Sequence, residues 1–377
     1  MSASRSGLFI GRYFGIKFYL DYSWFLIAAI VTWTLATKFF PLALPDQTEP
    51  VYLLMGISAA AIFFLSILLH ELGHSLVSQR CGIPVPRITL LFIGGIAQIS
   101  REPDDPKSEL KIALGGPAVS AILVLLYAAL ALAFGHAKLA APVLICNWLA
   151  TVNTALIVFN AIPGYPLDGG RVLRAIIWAR TGNLRRATFI TSRIGVGFAW
   201  MLMLLGVVAL FNREWNAFVL FIIGIFLKSA AESGYMQAIY HEVLAGVRVR
   251  DVMSAPPVCV PAHLPLNLAV DEIFLANHHT AFPVEADDHS FRGLLRLDHL
   301  KEVPREKWPF TTVGDLVDER GADRFCVAPD ETASRAMRRL LGAGEGRLAV
   351  IENGKVVGII TRHDILQFIK IHTELEA

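Results

Sequence analysis

Polar and apolar positions are spread unevenly along the 377 residues. Five stretches, 22–37, 50–69, 112–135, 139–167 and 194–212, contain no Asp, Glu, Lys or Arg, and a shorter one covers 215–227. Each of the five approaches the ~20 apolar residues that cross a bilayer as one helix. The runs lack the amphipathic faces and caps of helices in a large soluble core. With the shorter run included, the pattern predicts a polytopic α-helical membrane protein of about six transmembrane helices. Composition agrees, since 54% of the residues are hydrophobic and 18% charged, against about 45–50% and 25% in soluble domains. Lys17 and Asp21 precede the first run and no small-residue cleavage pattern closes it. That run is therefore expected to remain as an anchor.

Charge adds orientation. Arg5, Arg12 and Lys17 lie before the first run; Arg80, Arg87, Arg101, Lys107 and Lys111 follow the second; Arg171, Arg174, Arg180, Arg185, Arg186 and Arg193 follow the fourth. The other connections carry one basic residue each, Lys38, Lys138 and Arg213. Short loops rich in Lys and Arg stay in the cytoplasm, so both termini are expected there and the protein in the cell membrane. A net charge of +2 from 34 basic and 32 acidic residues supplies no field for nucleic acid. Cys81, Cys146, Cys259 and Cys326 are widely spaced, as structural thiols in a reducing compartment are. After Lys228 the chain turns mixed and polar. The expected organisation is a membrane domain over 1–230, a linker over 231–248 and a soluble cytoplasmic part beyond it.

Candidate chemistry stands at the end of the second run, His70-Glu71-Leu72-Gly73-His74. Histidines at i and i+4 share a helix face and can hold one zinc ion, while Glu71 can serve as general base for peptide hydrolysis. Three ionisable side chains at membrane depth are costly and mark a functional site. Catalytic zinc takes a third protein ligand and keeps one position open. Asp168 is the candidate, because it follows the fourth run on the side of the membrane that the charge count assigns to His74. The competing role for Asp168 is to cap the helix that begins near Val172.

These two motifs, His70–His74 and Asn160-x-x-Pro163-x-x-x-x-Asp168-Gly-Gly, resemble the site-2 protease family of intramembrane zinc metalloproteases over roughly the first 230 residues. The resemblance implies one zinc per chain, with His70, His74 and Asp168 as ligands and Glu71 as the catalytic acid residue. It also implies a substrate-orienting role for Asn160, and cleavage of transmembrane or membrane-tethered proteins near the cytoplasmic face. Residues 87–99 are rich in β-branched positions and flanked by Pro84, Pro86 and Pro103, which predicts a strand or hairpin. It either pairs with unwound substrate or closes the cytoplasmic mouth.

The soluble part repeats itself. Val249–Ser254 recurs as Val313–Asp318, Phe282–Val284 as Leu348–Val350, and Gly293–Leu295 as Gly358–Ile360, at offsets of 64 to 66. Short apolar strands alternate with helical stretches, which resembles a tandem pair of CBS domains over 249–305 and 310–372, an α/β module. That resemblance implies an adenine nucleotide at Thr361 and Asp364, with Arg296 and His299 at the matching places of the first repeat. It equally allows a structural or dimerising pair, and a homodimer through these domains is expected. The expected whole is a membrane zinc endopeptidase regulated through its CBS pair; the alternative is a catalytically silent CBS-linked transporter subunit or scaffold.

Overall fold

The computed structural model describes residues 7–91, 94–98, 103–211, 218–244, 246–317, 324–342 and 346–375. Arg5, Arg101, Arg213, residues 92–93, Ile99 and the first three residues of the 215–227 run lie outside them. The chain divides into two compact units, Arg5–Ala238 and Ile239–Ala377.

The first unit runs β1 (Leu8–Tyr13), β2 (Ile16–Leu20), α1 (Tyr22–Ala43), α2 (Glu49–Arg80), β3 (Arg87–Leu91), β4 (Gly94–Gln98), α3 (Pro106–His136), α4 (Ala140–Asn160), α5 (Asp168–Thr181), α6 (Leu184–Phe211) and α7 (Phe218–Val243). Among the described residues, six helices are long and apolar enough to cross a membrane: α1 to α4, α6 and the Phe218–Tyr240 part of α7. Their starts follow from local chemistry. Asp21 accepts the Ser23 N–H at 2.9 Å to open α1, and Asp105 accepts that of Ser108 at 2.9 Å, with Pro106 next in line, to open α3. α7 continues to Val243 through much of the stretch expected to be a linker. Residues 229–243 contain no proline, and Lys228 pairs with Glu232 one turn on at 2.7 Å.

On α2, Leu53, Leu54, Ile57 and Leu65 are exposed while Met55, Ala59, Ala60 and Phe64 are buried. In lipid such a helix gains little from burying leucine and associates instead through close backbone packing and polar contacts. α2 and α3 meet at glycines. A β carbon on Gly73 would stand 2.5 Å from the Gly115 carbonyl oxygen, and one on Gly115 would stand 2.8 Å from that of Gly73. Ser66 and Tyr127 hydroxyls join the same two helices at 2.8 Å.

The strands form one sheet in the order β1-β2-β3-β4, with β2 parallel to β3 and the other pairs antiparallel. The expected hairpin over 87–99 is β3 and β4. It is extended by an N-terminal hairpin whose turn, Phe14-Gly15, takes positive φ at both residues. Ile16, Phe18, Val85 and Ile88 pack beneath the sheet against Leu68 and Leu72 of α2, each buried side chain contributing about 1.5–3 kcal/mol. The sheet is thereby fastened to the part of α2 that carries the histidines.

In the second unit each half contains a three-stranded sheet of the same topology: β5 (Val260–Pro261), β6 (Ala281–Glu285) and β7 (Phe291–Arg296) in one, β8 (Cys326–Val327), β9 (Arg347–Glu352) and β10 (Lys355–Thr361) in the other. The first strand lies parallel to the second and the third antiparallel to it in both. Helix α8 (Arg362–Leu375) follows β10. The repeated Val249 and Val313 segments both form short 3₁₀ turns, in which Asp251 and Asp315 accept from the backbone N–H of Arg248 and Thr312 at 2.9 Å, and they are exchanged between halves. Ser254 pairs with Ile359 of the second half, whereas Val313 donates to Leu264 at 2.9 Å and lies in the core of the first.

The glycine crossing yields a stability test. Gly73→Ala should lower the thermal midpoint of the detergent-solubilised protein, an overpacking loss of about 1–3 kcal/mol. Gly135→Ala, where the added carbon meets nothing within 4 Å, should leave the midpoint in place.

Candidate metal centre

α2 carries His70, Glu71 and His74 toward the interior of the first unit, and His70 and His74 are only 4% and 6% exposed. Helix α4 ends at Asn160, and the chain then passes through turns to Asp168, the first residue of α5. Leu167 is the N-cap of α5 and makes no side-chain cap bond. The Asp168 carboxylate is turned to the imidazoles instead: Oδ2 lies 3.2 Å from His70 Nε2, and Oδ1 3.2 Å from His74 Nε2. The two Nε2 atoms are 3.2 Å apart. Three ligand atoms, one from each residue, lie within 4.8 Å of one another.

The partners of the outer ring nitrogens determine what the inner ones can do. His74 Nδ1 is 2.7 Å from the Ile112 carbonyl oxygen, which can only accept, so Nδ1 carries the proton and, in the neutral ring, Nε2 keeps its lone pair. His70 Nδ1 is 2.8 Å from Ser120 Oγ, which can accept in the same way. Two imidazole lone pairs and a carboxylate then converge on one buried point, an arrangement that like-charged lone pairs resist unless a cation lies among them. Two nitrogens and an oxygen, with Ser120 and the Ile112 carbonyl orienting the imidazoles, suit zinc. Room is made by Gly116 of α3, where a β carbon would overlap His74 Nε2 and stand 2.6 Å from His70 Nε2. Strand β4 comes equally close to the third motif residue, since a β carbon on Gly95 would overlap Glu71 Cγ and stand 3.0 Å from Cδ.

Asn160 is half-buried at the end of α4, and among the described residues no hydrogen bond ties it to His70, His74 or Asp168. In the second unit Asp364 Oδ2 accepts from the Thr361 amide at 2.8 Å and from its hydroxyl at 2.7 Å, at the start of α8. Ser254 Oγ donates to Asp364 Oδ1 at 3.3 Å. Arg296 stands half-buried at the end of β7. Arg347, not singled out by sequence reasoning, donates to the Ala281 carbonyl of the first half and lies where Asp364 acts on its charge.

Sequence reasoning also missed Glu109. Arg171 and Arg174 count in sequence as loop charges, but in the structure they close on this fully buried carboxylate of α3. Arg171 Nε and Nη2 donate at 3.0 and 3.3 Å, and Arg174 Nη2 at 2.7 Å. A lone Glu between Lys107 and Lys111 gives no sequence signal of burial.

Rip3 of Mycobacterium tuberculosis is 33% identical over 375 residues, covering 98% of this chain and 94% of that protein. The description of peptidase family M50 matches residues 58–143 and 135–204, which include both motifs. The chain belongs to peptidase family M50. The CBS domain description matches 249–306 and 313–371, so this M50 protein is a multi-pass membrane protein with a tandem CBS pair. Zinc metalloprotease MJ0392 of Methanocaldococcus jannaschii is 29% identical over 310 residues, with 82% of this chain and 84% of that protein covered. A solved structure, the site-2 protease from Methanocaldococcus jannaschii, matches 61% of this chain and 95% of its own at 25% identity and a TM-score of 0.42.

The space beside Gly116 gives the M50 centre a direct test. Gly116→Ala should reduce the zinc that co-purifies with the protein, measured by atomic absorption, to well below the wild-type content, because the methyl group takes the space where both Nε2 atoms point. Gly135→Ala on the same helix should retain it.

Proposed function

We propose that this protein is a zinc endopeptidase that hydrolyses a transmembrane or membrane-tethered polypeptide near the cytoplasmic face. The observation that carries this reading is the buried convergence of His70, His74 and Asp168, with Glu71 next to His70 on the same helix. Zinc bound by these three residues would bring the pKa of a water molecule toward neutrality and polarise the scissile carbonyl. His70 and His74 supply lone pairs at Nε2, His74 held in that tautomer by the Ile112 carbonyl and His70 able to adopt it by donating from Nδ1 to Ser120 Oγ. Glu71 takes a proton from the attacking water on its carboxylate and returns it to the departing amide nitrogen as the carbon–nitrogen bond breaks. Asn160, at the end of α4, serves to orient the substrate carbonyl.

A helical substrate must unwind before its carbonyls can be reached, and unpaired backbone groups are costly at membrane depth. β4 lies at the open edge of its sheet, with Gly95 against Glu71. An unwound substrate strand added to that edge would have its backbone groups satisfied beside the general base, without requiring a particular sequence. The excess of Arg and Lys before α1, between α2 and α3 and between α4 and α6 supports a cytoplasmic position for this mouth and for both termini.

Regulation by an adenine nucleotide belongs to the same proposal, with Thr361, Asp364 and Arg296 as contacts and two chains paired through the CBS domains. α7 offers the route. It continues to Val243, and at Gly234 it lies against the ring of Tyr165, three residues before Asp168. A nucleotide alters cleavage only by binding one arrangement of these elements better than another.

Two measurements test the proposal. Glu71→Gln should keep its zinc and cut a reconstituted single-span substrate about 10²–10⁴-fold more slowly; a wild-type rate would exclude Glu71 as the base. Asp364→Asn in the full chain should weaken AMP or ATP binding by calorimetry and remove any nucleotide effect on cleavage without changing zinc content. Equal nucleotide affinity in variant and wild type would remove Asp364 from the site.

A further inference from the structure

We propose that Glu109, through Arg171, Arg174 and Tyr165, forms a clamp that sets the position of Asp168, making Glu109 a positioning residue for the metal centre. This rests on the reading of Asp168 as a ligand. Asp168 is the first residue of α5, reached through a run of turns, and its side chain has no capping role. What fixes it lies on both sides. Three residues on, Arg171 makes a two-point contact with Glu109, and Arg174, one turn further on, adds a third bond at 2.7 Å. Three residues before, Tyr165 lies under the Arg174 guanidinium at 5.4 Å from its ring centroid and donates its N–H to the Thr191 carbonyl at 3.1 Å.

Glu109 is 0% exposed and Arg174 4%. Burying such charges is costly, and a buried pair is weak evidence for stability by itself, so its place in the fold calls for another explanation. Glu109, Ile112, Gly116 and Ser120 follow one stripe of α3, at i, i+3, i+7 and i+11. From that stripe Ser120 holds His70, the Ile112 carbonyl holds His74, and Gly116 leaves the space between them. Glu109 completes the set by holding the helix that bears Asp168.

The test is zinc affinity of the full-length protein in detergent, by competition with a chromogenic chelator, together with the thermal midpoint of the metal-free form. Arg171→Lys keeps the charge and loses the two-point fork. It should weaken zinc binding about tenfold or more, the size expected for an outer-shell residue, with an unchanged metal-free midpoint. Glu109→Gln should weaken zinc binding at least as much, and Glu109→Asp should recover part of it. Should Glu109→Gln fail to accumulate as folded protein, Arg171→Lys and Glu109→Asp decide. Wild-type zinc affinity in these variants, while Asp168→Ala loses zinc, would overturn the clamp alone. Wild-type affinity in Asp168→Ala would overturn the ligand reading beneath it.

Discussion

Two imidazole nitrogens and a carboxylate share a few ångströms of space inside a bundle of apolar helices, and much of the first unit follows from that constraint. Lone pairs brought this close repel one another, and the surrounding low dielectric strengthens the repulsion. The fold has to hold them there until a cation balances them. It does so with groups that cannot yield: a backbone carbonyl on one histidine, a buried hydroxyl on the other, and a glycine where any side chain would intrude.

α3 is the element through which this is done. Its glycines let it approach α2 until backbone meets backbone, which no larger residue would permit. The close approach puts the Ile112 carbonyl and Ser120 within reach of the imidazoles. The sheet acts from the other side, fastened by Ile16, Phe18, Val85 and Ile88 to Leu68 and Leu72, on either side of His70, so that β4 lies on Glu71. Glu71, the three converging side chains and the open strand edge are thereby drawn together by two packing contacts, each of which depends on glycine.

The elements that depend on periodicity and composition were legible in the sequence. Six apolar runs match the six membrane-length helices among the described residues, and the repeat offsets match two sheets of identical topology. The family motifs led to His70, His74 and Asp168 because two histidines at i and i+4 share a helix face whatever the tertiary packing. What could not be read are contacts made between distant segments. Glu109 looks in sequence like one member of a solvated charge cluster, and Arg171 and Arg174 look like loop charges; only the packing of α3 on α5 turns them into a buried triad. The β1–β2 hairpin was hidden because its strands are short and its partner β3 lies some 70 residues away. The exchange of the Val249 and Val313 segments between CBS halves was hidden for the same reason, since equivalent sequences pack equally well on either half.

If His70, His74 and Asp168 hold one zinc ion, its protein ligands are nitrogen and oxygen only. X-ray absorption at the zinc edge of the purified full-length protein tests it most directly. Such a site gives nitrogen and oxygen neighbours at about 2.0–2.2 Å with the outer scattering of two imidazoles, and one imidazole contribution is lost from any zinc retained by His74→Ala. A sulfur shell at about 2.3 Å, which would draw on the free thiols of Cys81, Cys146, Cys259 or Cys326, or protein purified without zinc that takes none up, would contradict it.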